Sequence, residues 1–181
     1  MNSSIKVGDV FETKYGKLKV LDYINARNVV TQFENTGYVK VTQTSSIRND
    51  LVKDPLAPSV YGIGYLGEGD YTTRELGAQC PIHKRWMNIM GRCYGGYKKA
   101  YIGCTVAKEW HNFQNFAQWM DETYPIDGEA RGGDISYQLD KDIKYKGNRI
   151  YSPETCMWVT QQENLKAINE YPIGGEYEQA N

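Results

Sequence analysis

Long hydrophobic runs are absent from this chain of 181 residues. A membrane-spanning helix needs about 18 or more consecutive apolar residues, and no stretch comes near that, which excludes an integral helical membrane protein. The opening residues, MNSSIKVGDV, lack the basic-then-apolar pattern of a secretory leader, so a cytoplasmic protein is expected. Cysteine is scarce: Cys80, Cys93, Cys104 and Cys156 are the only four. Outside an oxidising compartment they read as reduced thiols or metal ligands rather than a disulfide framework. Histidine is scarcer still, with only His83 and His111, leaving few groups that exchange protons near neutral pH. Net charge is −1, so the total does not advertise a strongly basic nucleic-acid protein. No internal repeat or low-complexity block appears.

What is present is globular in kind. Hydrophobic residues at 40% and charged residues at 24% argue against disorder, and the length allows one medium domain or two small ones. Charge is unevenly placed. Residues 79–124 hold six Lys/Arg against three Asp/Glu, whereas 125–181 hold six against ten. A basic stretch beside an acidic one can grip a phosphate backbone and concentrate cations nearby.

The expected fold class is α+β. Residues 1–57 read as a β-rich module: Val10-Phe11, Leu18–Leu21, Val29–Phe33 and Tyr38–Val41 are short β-branched or aromatic runs, punctuated by turns at the spacing of a meander or an SH3-like barrel. Residues 58–78 are glycine-rich, with Pro55 and Pro58 at their entry, and read as a linker. Gly62-x-Gly64-x-x-Gly67 spells the dinucleotide fingerprint, but that motif requires a buried strand before it and a helix after it. Two prolines precede it and EGDYTT follows, so no nucleotide cofactor is expected. Residues 79–170 form the second domain. There Trp86, Met90 and Cys93 recur at helical spacing, and Phe113, Phe116, Trp119 and Met120 share one face of a second helix, capped by Asn112 or His111. Residues 171–181 read as an acidic tail.

The densest chemistry lies in QLDKDIKYKGNRIYSPETCMWVTQQENL, residues 138–165. The pattern predicts a strand over 137–140, a turn at Lys146-Gly147-Asn148 and a second strand over 156–160. Thr160-Gln161-Gln162-Glu163 is a capping box that starts a helix near residue 161, with Asn164 in its first turn. A hairpin packed on that helix would bring Asp140 and Asn164 together. Carboxylate and amide oxygens with several waters suit a hard cation, Mg²⁺ or Mn²⁺.

In Leu-Asp-x-x-Ile, Gly-Asn, Tyr-Ser-Pro-Glu-x-Cys and Trp-Val-Thr-x-x-Glu-Asn the chain resembles the ββα-metal (HNH, His-Me finger) endonucleases, in the form bacteriophages carry. WMNIMGRCY and CTVAKEWHNFQNFAQW are similar to segments that precede the motif there, and the resemblance covers about residues 60–168. It implies a ββα-metal domain that hydrolyses double-stranded DNA in the host cytoplasm, as a nuclease or nickase, with Asp140 and Asn164 as metal ligands. The chain departs from the family where a His usually stands beside the metal-binding acid. Lys141 occupies that position, and Thr155 stands where a structural Asn is common.

A protonated Lys cannot accept a proton from water, so Lys141 is expected to contact phosphate. His111 remains a candidate base, with a helix cap or surface residue as the alternative. Cys80, His83, Cys93 and Cys104 could make a tetrahedral zinc site, or be buried thiols and an ordinary His. Arg92, Lys98 and Lys99, interleaved with Tyr94, Tyr97 and Tyr101, and a second strip of Lys144, Lys146 and Arg149, are candidates for DNA contact, or else solvated basic faces. An inert scaffold that binds DNA or a protein without turnover is the rival to an enzyme.

Overall fold

Alternating side chains build the first part of the protein. In the computed structural model, which describes residues 4–170, four strands follow one another: β1 (Val10–Thr13), β2 (Gly16–Asn25), β3 (Asn28–Phe33) and β4 (Val39–Thr42). They pair antiparallel in chain order. Gly16 allows the close β1–β2 turn, with φ of 105° and the Asn35 amide lying where a Cβ would sit. In β3 the period of two is plain: Val29, Thr31 and Phe33 are buried while Val30 and Gln32 are half-buried. Leu18 and Val20 of β2, Ile47 of the short helix α1 (Thr44–Arg48) and Val52 complete this core. Thr31 is buried without penalty because its hydroxyl donates to the Lys40 carbonyl at 2.9 Å. The four strands expected from the sequence are all present, β1 and β2 extending beyond their expected runs by two or more residues and β3 by one.

The chain divides into two compact units, residues 1–69 and 70–181. The glycine segment within the first is made of turns, with Val60 bridged to Gly64, and no helix opens between Gly67 and Pro81. Residues expected as linker end instead in a minimal hairpin, β5 (Arg74–Glu75) with β6 (Ala78–Gln79).

Helix α2 (Pro81–Tyr94) begins with proline, whose missing N–H costs nothing at a helix start, and buries Trp86, Ile89 and Met90 on one face. Helix α3 (Phe113–Thr123) buries Phe113, Phe116, Ala117 and Met120. Asn112, not His111, is its cap, accepting from the Gln114 amide at 3.0 Å. The two helices meet where Trp86 packs on Phe113, ring centroids 5.5 Å apart; the Trp86 indole N–H donates to the Trp110 carbonyl ahead of α3 at 2.7 Å, and truncating a tryptophan buried this fully costs about 3–5 kcal/mol.

Two further strand pairs follow. β7 (Thr105–Val106) runs parallel to β9 (Ile150–Tyr151). β8 (Tyr137–Asp140) runs antiparallel to β10 (Met157–Thr160), with Asp140 opposite Met157 and Tyr137 opposite Thr160. Helix α4 (Gln161–Glu170) leaves β10 directly. The protein is thus mixed α+β. No helix among the described residues is long and apolar enough to cross a membrane. The expected acidic tail, 171–181, lies outside the described residues.

Arg85 fastens the β8–β10 pair to the helices. Its guanidinium donates to the Tyr137 carbonyl at 2.7 Å and the Tyr124 hydroxyl at 2.9 Å, and it lies over the rings of Tyr124 and Trp158. A planar cation with several donors can serve strand, phenol and ring faces together.

Candidate metal centre and nucleic-acid interface

The capping box forms as its residues dictate. The Thr160 amide donates to Glu163 Oε2 at 2.7 Å, and the Glu163 amide donates back to the Thr160 hydroxyl at 3.3 Å. The Thr160 amide, with the Thr160 hydroxyl donating to the same oxygen at 2.8 Å, holds the Glu163 carboxyl below its ordinary pKa. Starting α4 at Gln161 puts Asn164 in the first turn, half-buried, where its amide nitrogen donates to the Gln138 side-chain oxygen. Gln138 and Asp140 are two residues apart on β8 and so project from the same face. Asn164 therefore lies against the strand face that carries Asp140. Two residues of strand span about 6.8 Å, while two oxygens on one Mg²⁺ at about 2.1 Å each are at most about 4.2 Å apart. Side-chain rotation has to close that difference.

Asp140 is prepared from the other side. Its Oδ1 accepts the backbone N–H groups of Asp142 at 2.8 Å and Ile143 at 2.7 Å, which fixes the carboxylate plane. Burial raises its pKa above the ordinary value, against the lowering by those two amides. The donor set, one carboxylate and one amide oxygen, fits a hard divalent cation. Among the described residues no three His, Cys, Asp or Glu side chains gather into a metal-holding group, so an ion here would rely on these two oxygens and water.

Lys141 points inward. It is 8% exposed, and its ammonium donates to Asp142 Oδ2 at 2.8 Å and to the Asn148 carbonyl at 3.1 Å. The residue expected to meet phosphate is instead a tie across its own loop. Asn148 supplies the other half of that clasp: its amide nitrogen donates to the Lys141 carbonyl at 2.6 Å and the Ile150 carbonyl at 2.7 Å, and its oxygen accepts from the Ile150 amide at 3.2 Å. The Thr155 hydroxyl also donates to the Ile150 carbonyl, at 2.7 Å. Loop order thus comes from Asn148 and Thr155 together. The only local hint was the Lys-Gly-Asn turn.

The remaining candidates scatter. His111 is half-buried, with Nε2 at 3.0 Å from the Val106 carbonyl. A carbonyl only accepts, so Nε2 carries the hydrogen and Nδ1 is the basic nitrogen. The four zinc candidates do not converge. Cys80 and Cys93 stand 13 residues apart, at the two ends of α2, about 20 Å of helical rise. His83 packs edge-on against Phe113, with its pKa lowered by burial. Burial pushes the thiol of half-buried Cys93 up to about 11 and that of buried Cys156 up to about 12, which disfavours the reactive thiolate in both.

Arg92 also turns inward, donating to the Tyr151 hydroxyl at 3.4 Å and lying over the Tyr101 ring at 5.4 Å. The Tyr94 hydroxyl accepts the Val106 amide at 2.9 Å. Of the interleaved basic and aromatic residues, Tyr97, Lys98 and Lys99 remain on the surface. Arg149 joins them to the second strip: its guanidinium donates to the Ile102 carbonyl, and the Thr105 amide donates to the Arg149 carbonyl at 2.8 Å. Lys144 donates to the Glu154 carbonyl at 2.6 Å. Compared with models of known families, with curated proteins and with solved structures, the chain matches none.

Proposed function

We propose that the second unit is a divalent-metal-dependent DNA endonuclease or nickase on a ββα-metal scaffold, of the kind bacteriophages carry, with the N-terminal sheet as an SH3-like accessory module. The hydrogen bond between Asn164 and Gln138 carries this reading, because it sets the first-turn amide of α4 on the strand face that bears Asp140. Asp140 and Asn164 would hold Mg²⁺ or Mn²⁺. When bound, the ion supplies charge stabilisation at the scissile phosphate and the leaving 3′ oxygen. The two backbone amides on Asp140 orient its carboxylate in advance, and the Lys141–Asn148 clasp keeps the loop that follows from moving. Lys98, Lys99, Lys144 and Arg149 meet the DNA backbone. Supercoiled plasmid incubated with the purified protein and Mg²⁺ or Mn²⁺ should give nicked or linear product, and Asp140→Ala and Asn164→Ala should each abolish it. Unchanged cleavage by those variants removes the assignment.

One observation favours a second reading, a scaffold that binds without turnover. Lys141, standing where the family places its base, is buried and already bonded to Asp142 and Asn148, so it has no proton-accepting role. Intact DNA binding with no product at any Mn²⁺ concentration would select this reading.

A further inference from the structure

Two loops distant in sequence share one surface of the second unit. The 98–102 turn is closed by the Tyr101 amide on the Lys98 carbonyl at 3.0 Å and the Ile102 amide on the Lys99 carbonyl at 3.2 Å. The 145–148 turn is closed by the Asn148 amide on the Tyr145 carbonyl at 3.1 Å. Arg149 lies between them, bonded to Ile102, and the β7–β9 pairing holds both in register. Each turn exposes an aromatic ring: Tyr97 is 63% and Tyr145 53% accessible. Each ring carries a lysine ammonium near its face, Lys98 at 6.0 Å and Lys144 at 5.7 Å. The other tyrosines of the 94–101 segment, Tyr94 and Tyr101, are half-buried.

We infer that this surface binds single-stranded or locally unpaired DNA, with bases stacking on Tyr97 and Tyr145 and phosphates met by Lys98, Lys99 and Arg149. The identification of DNA rests on the nuclease reading above; the preference for unpaired strand rests on the two rings. In a duplex the base faces are hidden in the stack and only phosphates are offered, for which cations suffice. An exposed phenol can donate its hydroxyl to a phosphate of either form, but its ring face serves only an unstacked base, to which it offers a platform whatever the sequence. The clasp from Asn148 to the Lys141 carbonyl couples this surface to the residue after Asp140, so a strand held here would enter beside the candidate metal ligands.

The test is fluorescence anisotropy with the full chain in EDTA, which separates binding from cleavage. Labelled oligo(dT) of about twenty nucleotides should bind at least about tenfold more tightly than a duplex of equal length. The double variant Tyr97→Ala/Tyr145→Ala should lower oligo(dT) affinity at least about tenfold and leave duplex binding within about twofold. Tyr97→Phe/Tyr145→Phe should restore it, since stacking needs the ring and not the hydroxyl. Lys98→Ala/Lys99→Ala should weaken both ligands alike and flatten the salt dependence by about 1.4 in log–log slope on the single strand. Duplex binding equal to or tighter than oligo(dT), or an alanine double variant that is folded by circular dichroism and binds oligo(dT) as the parent does, would overturn the inference. Failure of plasmid cleavage in Mn²⁺ with this binding pattern intact would instead sink the nuclease reading alone.

Discussion

Replacing Asn148 by Ala should be among the most costly substitutions of a half-exposed residue in the second unit. The change removes two donated bonds, to the Lys141 and Ile150 carbonyls, and one accepted from the Ile150 amide. Intramolecular hydrogen bonds contribute about 0.5–1.5 kcal/mol each. The Ile150 carbonyl keeps its bond from Thr155, and water can reach part of the clasp, so the expected loss is about 1.5–3 kcal/mol rather than the full sum. Asn148→Asp separates geometry from chemistry. It preserves an acceptor for the Ile150 amide but sets a carboxylate against two carbonyl oxygens, so its loss should be at least as large as that of Ala at neutral pH. Urea unfolding followed by tryptophan fluorescence reports both, with the midpoint lowered and the slope unchanged. An Asn148→Ala midpoint shift worth less than about 0.5 kcal/mol, or an Asn148→Asp protein as stable as the parent, would refute the clasp.

Other outcomes follow from the same structure. Thr160→Ala should cost about 1 kcal/mol through loss of the α4 cap. Because Glu163 has a folded pKa below its unfolded one, its support is present above the ordinary carboxylate range and lost as pH falls through the lowered folded value; Glu163→Gln should therefore flatten the acid side of the urea-midpoint profile. In a native thiol titration at neutral pH, Cys93 and Cys156 should react slowly and become reactive on unfolding, since burial places their pKa values at about 11 and about 12. Arg85→Ala should destabilise the unit and shift the fluorescence of Trp158, whose ring the guanidinium covers; an unmoved spectrum would contradict the strut.

The parts legible in the sequence are those that local rules decide. Strand alternation around Val29–Phe33, the Thr160–Glu163 box and the apolar faces of α2 and α3 are each written within a few residues of themselves and appear there, except that Cys93 and Trp119 are half-buried while Ile89 and Ala117 join the buried faces. What was illegible is contact at long range. β7 and β9 are two residues each and pair across 45 positions, Thr105 with Ile150, too short to leave a periodic trace. Without that pair nothing in the sequence tells that the basic 98–99 and 144–149 strips are neighbours. The direction of a cation was equally hidden. Arg92 and Lys141 read as contacts to DNA, but each, like Arg85, finds carbonyl or tyrosine hydroxyl acceptors elsewhere in the chain.

Mn²⁺ binding by the unmodified chain, measured by the loss of the free-ion paramagnetic resonance signal, tests the shared-ion proposal for Asp140 and Asn164 most directly. One equivalent should be taken up by the parent protein, and uptake should vanish in Asp140→Ala and in Asn164→Ala while both stay folded. A parent protein that leaves all the manganese free, or single variants that bind it as the parent does, would contradict the account.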